Sequence, residues 1–312
     1  MATALTSIVE AIESAAPAPR EQVRWPQYRA LLIGILGIGA IDSAWLAFSD
    51  LHIAFWPAML RAGIPAVLLL GAAFYGLSGR SDRICATLLA VGTLLLFTLF
   101  GVILSYLAVR TGMPFVDDSL AAADRALGLD WVAYRQVFVS HRWLTCVTAL
   151  LYDSSVIQIL LVSLILGFSG RFADLAEFTA VLICAGVAAV STGALLPALG
   201  AYQHFGVPDN GVAFFVPTII AAHSGALHVL DLSAAQGLVV FPSFHTAISV
   251  AVMIGCWRVR YLRSLALVIN AVLIAGVPVW GSHYFVDLFG GTFLVGAAVA
   301  AWRRCFGAPD QR

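Results

Sequence analysis

Two histidines and an aspartate stand at the starts of apolar segments and combine residue types suited to nucleophilic and acid–base chemistry. His283 and Asp287 are four residues apart, and His245 lies upstream. On a helix this spacing puts the pair on one face, where the carboxylate can fix the imidazole tautomer and leave one nitrogen as a free lone pair. A nucleophilic histidine needs that lone pair, and His245 could protonate a leaving oxygen and later deprotonate an incoming one. The trio therefore predicts a site for phosphoryl transfer.

Other readings of the trio remain open. A single histidine at a helix end is more often structural or interfacial, and an acid at i+4 from a histidine is common by chance. Two histidines and one acid form an incomplete ligand set, so a metal site is less favoured. We therefore expect neither a metal ion nor a cofactor. Donors from Ser243, from backbone amides near Gly281 and from arginines could hold phosphate oxygens.

The composition indicates that these residues are positioned by a membrane-embedded bundle. The chain is 61% hydrophobic and only 11% charged, whereas soluble domains carry about 25% charged residues. Its net charge of zero gives no sign of a nucleic-acid partner. The expected partners are the lipid bilayer and membrane lipid substrates, and the oligomeric state stays open.

Apolar runs long enough to cross a bilayer predict an all-α, polytopic transmembrane helix bundle with about eight spans. We expect a polar cytoplasmic tail over 1–28 with a short surface helix near its start, a single transmembrane domain over 29–305, and a tail over 306–312. Asp42 and Asp153 fall inside spans, where a structural hydrogen bond is favoured over substrate contact. The predicted spans are 29–48, 62–78, 84–108, 144–168, 175–198, 243–257, 264–282 and 285–302.

The arginines predict an orientation. With the N-terminus in the cytoplasm, most arginines fall inside, as the positive-inside rule requires. Both histidines then lie at the extracytoplasmic face, most simply of the inner membrane of a bacterium. Two long segments share that face. Residues 109–143 have the pattern of helices lying in the interface, and 199–242 would roof the site.

The motifs PSFHT (242–246) and SHYFVDLFGG (282–291) resemble the second and third signature motifs of the phosphatidic acid phosphatase type 2 superfamily. They are most similar to its inositol-phosphorylceramide synthase branch. The resemblance implies a six-helix catalytic core over about 84–305. It also implies that His283 forms a phosphohistidine, Asp287 is its partner acid, His245 is the acid/base and Ser243 helps to bind phosphate.

The chain also departs from the superfamily's phosphatases. They share a first motif, Lys-x6-Arg-Pro, which is impossible here because the sequence contains no lysine. They also carry Ser-Arg before the third-motif histidine, where this chain has Gly276-Val277-Pro278-Val279. We therefore expect substrate contacts from Arg110, Arg142 and Tyr284. The missing first motif favours the synthase-like branch.

The resemblance implies a membrane enzyme of lipid metabolism that transfers a phosphoryl or phospho-alcohol headgroup to another lipid's hydroxyl. The first alternative is a lipid phosphate phosphatase, in which water is the acceptor. The second, from another class, is a non-catalytic transporter or scaffold. Transporters tend to show internal repeats or paired broken helices, and the sequence shows neither.

Overall fold

A computed structural model describes residues 23–209 and 211–309 and confirms an all-α polytopic bundle. In this part of the chain the strands are limited to one short parallel pair. The strands are β1 (His52–Ile53) and β2 (Val229–Leu230), and the helices are α1 (Trp25–Ala47), α2 (Phe55–Ser78), α3 (Asp82–Val109), α4 (Asp117–Ala126), α5 (Trp131–Ser140), α6 (Arg142–Asp153), α7 (Ser155–Phe168), α8 (Phe172–Leu195), α9 (Ala201–Phe205), α10 (Val216–His223), α11 (Phe244–Cys256), α12 (Arg260–Trp280) and α13 (Phe285–Phe306).

Every predicted span overlaps a helix, but the helices differ in whether they are long enough to cross a membrane. Within the described residues, α1, α2, α3, α8, α12 and α13 are long and apolar enough to cross a membrane. The fourth predicted span is broken into α6 and α7, which meet at Ser154 with a bend of 50°. The sixth, α11, has only 13 residues, which is about 20 Å at 1.5 Å per residue. These two irregular spans both contribute to the site.

The second predicted span was too short. It was expected to begin at residue 62, yet α2 begins at Phe55. Arg61 is accommodated because its Nη2 donates to the carbonyl of Ala235 at 3.0 Å. Pro65 also lies inside the helix. A helix can continue through a charged residue whose side chain hydrogen-bonds to a carbonyl group at the membrane edge.

Helix α8 lies at the centre of the bundle and packs against α3, α11 and α13. The α1 and α2 helices pack on the outer side of α3. The start of α3 is capped by Ser81, whose hydroxyl accepts from the Ile84 amide at 3.3 Å. Gly79 (φ 63°) reverses the chain before it in the left-handed conformation that glycine adopts without strain.

The segment between α3 and α6 forms α4 and α5, in agreement with the helices predicted there. One face of α4 is buried and carries Asp117, Leu120, Ala121 and Asp124. The roof segment contains α9, α10 and β2, and β2 pairs with β1 through His52 and Val229.

Two intramembrane carboxylates behave differently. Asp42 is buried on α1, and neither of its oxygens has a hydrogen-bond partner among the described residues. Asp153 is exposed at the bend between α6 and α7. The predicted structural hydrogen bond is therefore not formed by Asp42 within the described chain. The helix expected near residues 5–12 lies outside the described residues.

Candidate active site

His283 and Asp287 form a buried pair at the start of α13. His283 Nδ1 lies 2.9 Å from Asp287 Oδ2, and the two residues are 4% and 0% exposed. The same carboxylate oxygen accepts the Tyr284 amide at 3.0 Å. A carboxylate on Nδ1 holds the ring proton there and leaves Nε2 as the basic nitrogen.

His283 and Asp287 do not share one face of a helix, although the four-residue spacing predicted that they would. His283 precedes α13, which begins at Phe285, and Asp287 occupies the third position of the helix. The contact forms because Asp287 caps the helix start and turns its carboxylate back toward the incoming chain. Ser282, with φ 57°, provides the turn that brings His283 to this carboxylate.

Gly281 allows the backbone to pass close to the His283 ring. A Cβ at this position would lie 2.8 Å from His283 Nε2 and 3.1 Å from the hydroxyl of Tyr152, and it would collide with His283 Cδ2. A larger residue here would therefore displace the ring. Burial lowers the pKa of His283, while the backbone carbonyl of Val240 opposes that shift. The ring is neutral at pH 7, as a nucleophile must be.

His245 is held by Tyr152, which comes from the bent α6–α7 span. The Tyr152 hydroxyl lies 3.0 Å from His245 Nδ1, and the two rings stack with centroids 4.0 Å apart at 19°. When the phenol donates to Nδ1, the ring proton of a neutral His245 stands on Nε2. Once Nδ1 is also protonated, with the phenol oxygen then accepting from it, the imidazolium can hand its Nε2 proton to a leaving oxygen. The bend at Ser154 immediately follows the turn that carries Tyr152.

Ser243 joins the two motifs. Its amide donates to the Asp287 carbonyl at 3.1 Å, so the start of α11 is fixed beside the start of α13. Its fully buried hydroxyl caps α11 by accepting from the Thr246 amide at 3.4 Å. The hydroxyl that the motif assigns to phosphate therefore serves as a helix cap in this structure.

A sequence model of the PAP2 superfamily matches residues 118–301, more than half of the 312 residues. The chain belongs to the PAP2 superfamily. No curated protein and no solved structure matches it. Membership indicates a lipid phosphatase or phosphotransferase. His245, His283 and Asp287 all lie inside the matched range.

The PAP2 site is braced by two carboxylates of α4. Asp124 accepts the amides of Phe285 and Val286 at 2.8 and 2.9 Å, which are the first two amides of α13. Burial raises the pKa of Asp124, and these two donors oppose the rise. A carboxylate at a helix N-terminus satisfies orphan donors and complements the helix dipole. Asp124 thereby fixes the helix start from which His283 and Asp287 project.

Asp117, the other carboxylate of α4, accepts backbone amides from the roof segment. It accepts the amide of Leu199 at 3.0 Å and that of Gly200 at 2.8 Å. Its Oδ1 also accepts from the hydroxyl of Tyr284 at 2.9 Å. The roof in turn contacts the third motif, because Ala201 donates to the carbonyl of Ser282 at 2.8 Å.

The structure brings together some of the predicted PAP2 site residues and not others. His245, His283, Asp287 and Ser243 converge where α11 and α13 begin. Tyr284 is fully buried, and its hydroxyl is committed to Asp117.

The two arginines expected at the substrate have other positions. Arg110 pairs with Asp50 and donates to the Leu227 carbonyl at 2.7 Å. Arg142 is exposed at the first position of α6. Within the described chain, no arginine is hydrogen-bonded to His245 or His283.

The sequence reasoning missed Tyr152, Asp117 and Asp124. A signal for the aspartates was available, because a separation of seven residues puts both on one face of a helix. The carboxylates then stand on the side of α4 that also carries Leu120. No such signal existed for Tyr152, because its role depends on a bend and on a histidine 93 residues away.

Proposed function

We propose that this protein is a membrane enzyme of lipid metabolism that transfers a phosphoryl or phospho-alcohol headgroup through a phosphohistidine on His283. The acceptor is the hydroxyl of a second lipid, as in the inositol-phosphorylceramide synthase-like branch. One observation carries the proposal. The Nδ1 of His283 is bound by buried Asp287 at 2.9 Å, an arrangement that leaves Nε2 as the basic nitrogen.

The first half-reaction forms the phosphohistidine. Nε2 of His283 attacks phosphorus, and a P–N bond forms as the P–O bond to the leaving alcohol breaks. His245, as the imidazolium, gives its Nε2 proton to the leaving oxygen and becomes neutral, and the alcohol departs neutral. Asp287 stabilises the positive charge that develops on the His283 ring.

The second half-reaction reverses these roles. His245 takes the proton of the acceptor hydroxyl as its oxygen attacks phosphorus. A new P–O bond forms, the P–N bond breaks, and His283 returns to its neutral state. The same steps with water as the acceptor describe the phosphatase alternative, so the acceptor alone distinguishes the two activities.

Backbone groups support phosphate binding in this scheme. The N-terminus of α11 begins at Phe244, next to His245, and helix N-termini favour anions through their amides and dipole. The absence of lysine from the whole chain removes the first phosphatase motif. That departure supports a lipid acceptor over water.

Product analysis with the purified protein tests the proposal. The protein would be reconstituted in phosphatidylcholine vesicles with a radiolabelled phospholipid donor and a lipid alcohol. A labelled new phospholipid supports transfer, whereas a water-soluble labelled headgroup phosphate supports hydrolysis. We expect His283→Ala and His245→Ala each to abolish turnover, and acid-labile label on the protein to require His283.

A matched histidine provides the control. His228 is exposed, with its side chain 63% accessible, and it lies in the roof beside Asp50. His228→Ala removes an imidazole without touching the site and should leave turnover unchanged. Full turnover by well-folded His283→Ala and His245→Ala proteins would contradict the catalytic proposal and favour a transporter or scaffold.

The arginine distribution supports a site that faces away from the cytoplasm of a bacterial inner membrane. Ser224 is exposed on the histidine side, and the native Cys305 is exposed in the last turn of α13. We expect an impermeant maleimide added to intact cells to label Ser224→Cys and to leave Cys305 unlabelled. The reverse pattern would overturn this orientation.

A further inference from the structure

A charged cavity lies at the opposite end of the bundle from the histidines. Its volume is about 760 Å³, and it is lined by residues of α8, α11, α12 and α13. Arg303 on α13 lines it, 16 residues beyond Asp287 (303 − 287), which is about 24 Å along the helix axis at 1.5 Å per residue. The cavity is therefore separate from the candidate active site by most of the bilayer thickness.

The cavity is rich in arginine. Its lining includes Arg258, Arg260, Arg263 and Arg303, against two acids. The acids are already paired, because Glu177 binds Arg303 through two hydrogen bonds of 2.7 and 2.8 Å, and Asp174 binds Arg258 at 3.1 Å.

Two of these arginines remain available. Arg260 and Arg263 have no carboxylate within salt-bridge distance among residues 23–209 and 211–309. Both stand in the first turn of α12, whose N-terminus has no side-chain cap. The two guanidinium groups therefore stand together at one rim of the cavity, an arrangement that attracts an anion with several oxygens.

The remaining wall is apolar and faces the lipid. Val250, Ile254, Leu267 and Val299 line it, and Leu267 is 46% exposed. Trp257 at the rim is also exposed, and the Arg263 guanidinium lies 5.5 Å from its ring centroid. Tryptophan is typical of the headgroup level of a membrane. A charged rim above an apolar wall matches a lipid with an anionic headgroup, and it matches a soluble anion poorly.

We propose that this cavity binds an anionic phospholipid, with its phosphate between Arg260 and Arg263 and an acyl chain along Leu267. The site lies on the face opposite to the catalytic histidines and is distinct from the substrate site. The cavity lies between α12 and α13, the two helices whose other ends flank His283.

Lipid binding to the full chain in neutral detergent tests this proposal. The probes are dioleoylphosphatidylglycerol, dioleoylphosphatidylcholine and inorganic phosphate, and native mass spectrometry gives the bound stoichiometry and apparent Kd. We expect phosphatidylglycerol to bind more tightly than phosphatidylcholine. We expect the double variant R260Q/R263Q to weaken phosphatidylglycerol binding about thirtyfold, since each arginine near an anionic lipid contributes about one factor of five.

Arg80 and Arg83 supply the matched control. They are exposed at the turn between α2 and α3, at the same end of the bundle, and neither lines the cavity. R80Q/R83Q removes the same charge and should leave phosphatidylglycerol binding within about threefold of the parent. An equal loss in both double variants would mean general charge attraction and would overturn a specific site.

Leu267→Trp provides a second variant that keeps every arginine. It fills the apolar wall, so we expect it to weaken phosphatidylglycerol binding at least tenfold while thermal unfolding stays unchanged. Unaltered phosphatidylglycerol binding by both R260Q/R263Q and Leu267→Trp would overturn the proposal. Inorganic phosphate that binds as tightly as phosphatidylglycerol would assign the cavity to a soluble anion and overturn the lipid assignment.

Discussion

The hydroxyl of Tyr152 and the Nδ1 of His245 lie 3.0 Å apart, and the two rings stack at 4.0 Å. The tyrosine comes from the last turn of α6, just before a 50° bend in the span. The last turn of α6 thus carries the hydroxyl that sets the tautomer of the proposed acid/base.

Tyr152→Phe should lower kcat about tenfold, because one hydrogen bond of about 1.4 kcal/mol is removed while the ring stacking stays. KM should change little, since the hydroxyl orients His245 and does not hold the lipid. The measurement is kcat and KM across a pH series. Tyr75→Phe on α2 is the control and should behave as the parent. A change in KM alone, with an unaltered pH profile, would argue against a positioning role.

Gly281→Ala should reduce turnover at least about a hundredfold, because the new methyl group collides with the His283 ring and displaces Nε2. Gly281 has φ −99°, which alanine adopts without backbone strain, so the fold should persist while the His283 ring shifts away from the new Cβ. Trapping of acid-labile phosphoprotein measures the blocked step directly. Gly296→Ala on α13 is the matched control, because its Cβ would meet no atom within 4 Å. Normal phosphoprotein formation by Gly281→Ala would refute the assignment of Nε2 as nucleophile.

Asp287→Asn should lower kcat about a thousandfold or more, because a neutral amide does not stabilise the positive charge that develops on the His283 ring. The asparagine oxygen can still accept the Tyr284 amide, so the melting temperature should shift only slightly. Rates and thermal unfolding in the same detergent separate the two effects. Asp118→Asn changes a side chain that is 99% exposed and serves as the control. Comparable rates for both variants would remove Asp287 from the mechanism.

Asp124→Ala should destabilise the protein by about 2 kcal/mol, because two amides at the start of α13 lose their acceptor. Activity should fall with it, since the same helix start positions His283. Thermal unfolding gives the stability, and Asp124→Asn should recover part of it through its remaining acceptor oxygen. If Asp124→Ala melts at the parent temperature, the brace from α4 is not needed for the fold.

The pH dependence of kcat/KM should have its acid limb below pH 6.5. Burial lowers the pKa of His283 from 6.5, so the ring in the free enzyme stays neutral to a lower pH than a solvent-exposed histidine. The same shift affects stability. The unfolded ring takes up a proton near pH 6.5 and the folded ring does so only at lower pH, so the free energy of unfolding declines as pH falls between these two values. An acid limb at 6.5 or above would contradict a buried, neutral nucleophile.

The amino-acid sequence by itself determined the class of the protein and the identity of its reactive groups. Apolar runs of this length favour a place in lipid, so the all-α polytopic bundle followed from composition and length. The motifs at 242–246 and 282–291 singled out His245, His283 and Asp287, because short motifs preserve residue types at fixed spacing.

Tertiary structure decided how these groups are held. Asp287 reaches His283 by capping a helix start, and the helical i+4 spacing that suggested the contact is not its cause. Tyr152, Asp117 and Asp124 act across 93, 167 and 161 residues of chain, on His245, Tyr284 and Phe285. Local sequence patterns indicate which residues share a helix face. Contacts between distant segments depend on how bent and straight helices pack. Only the folded chain contains the information about this packing.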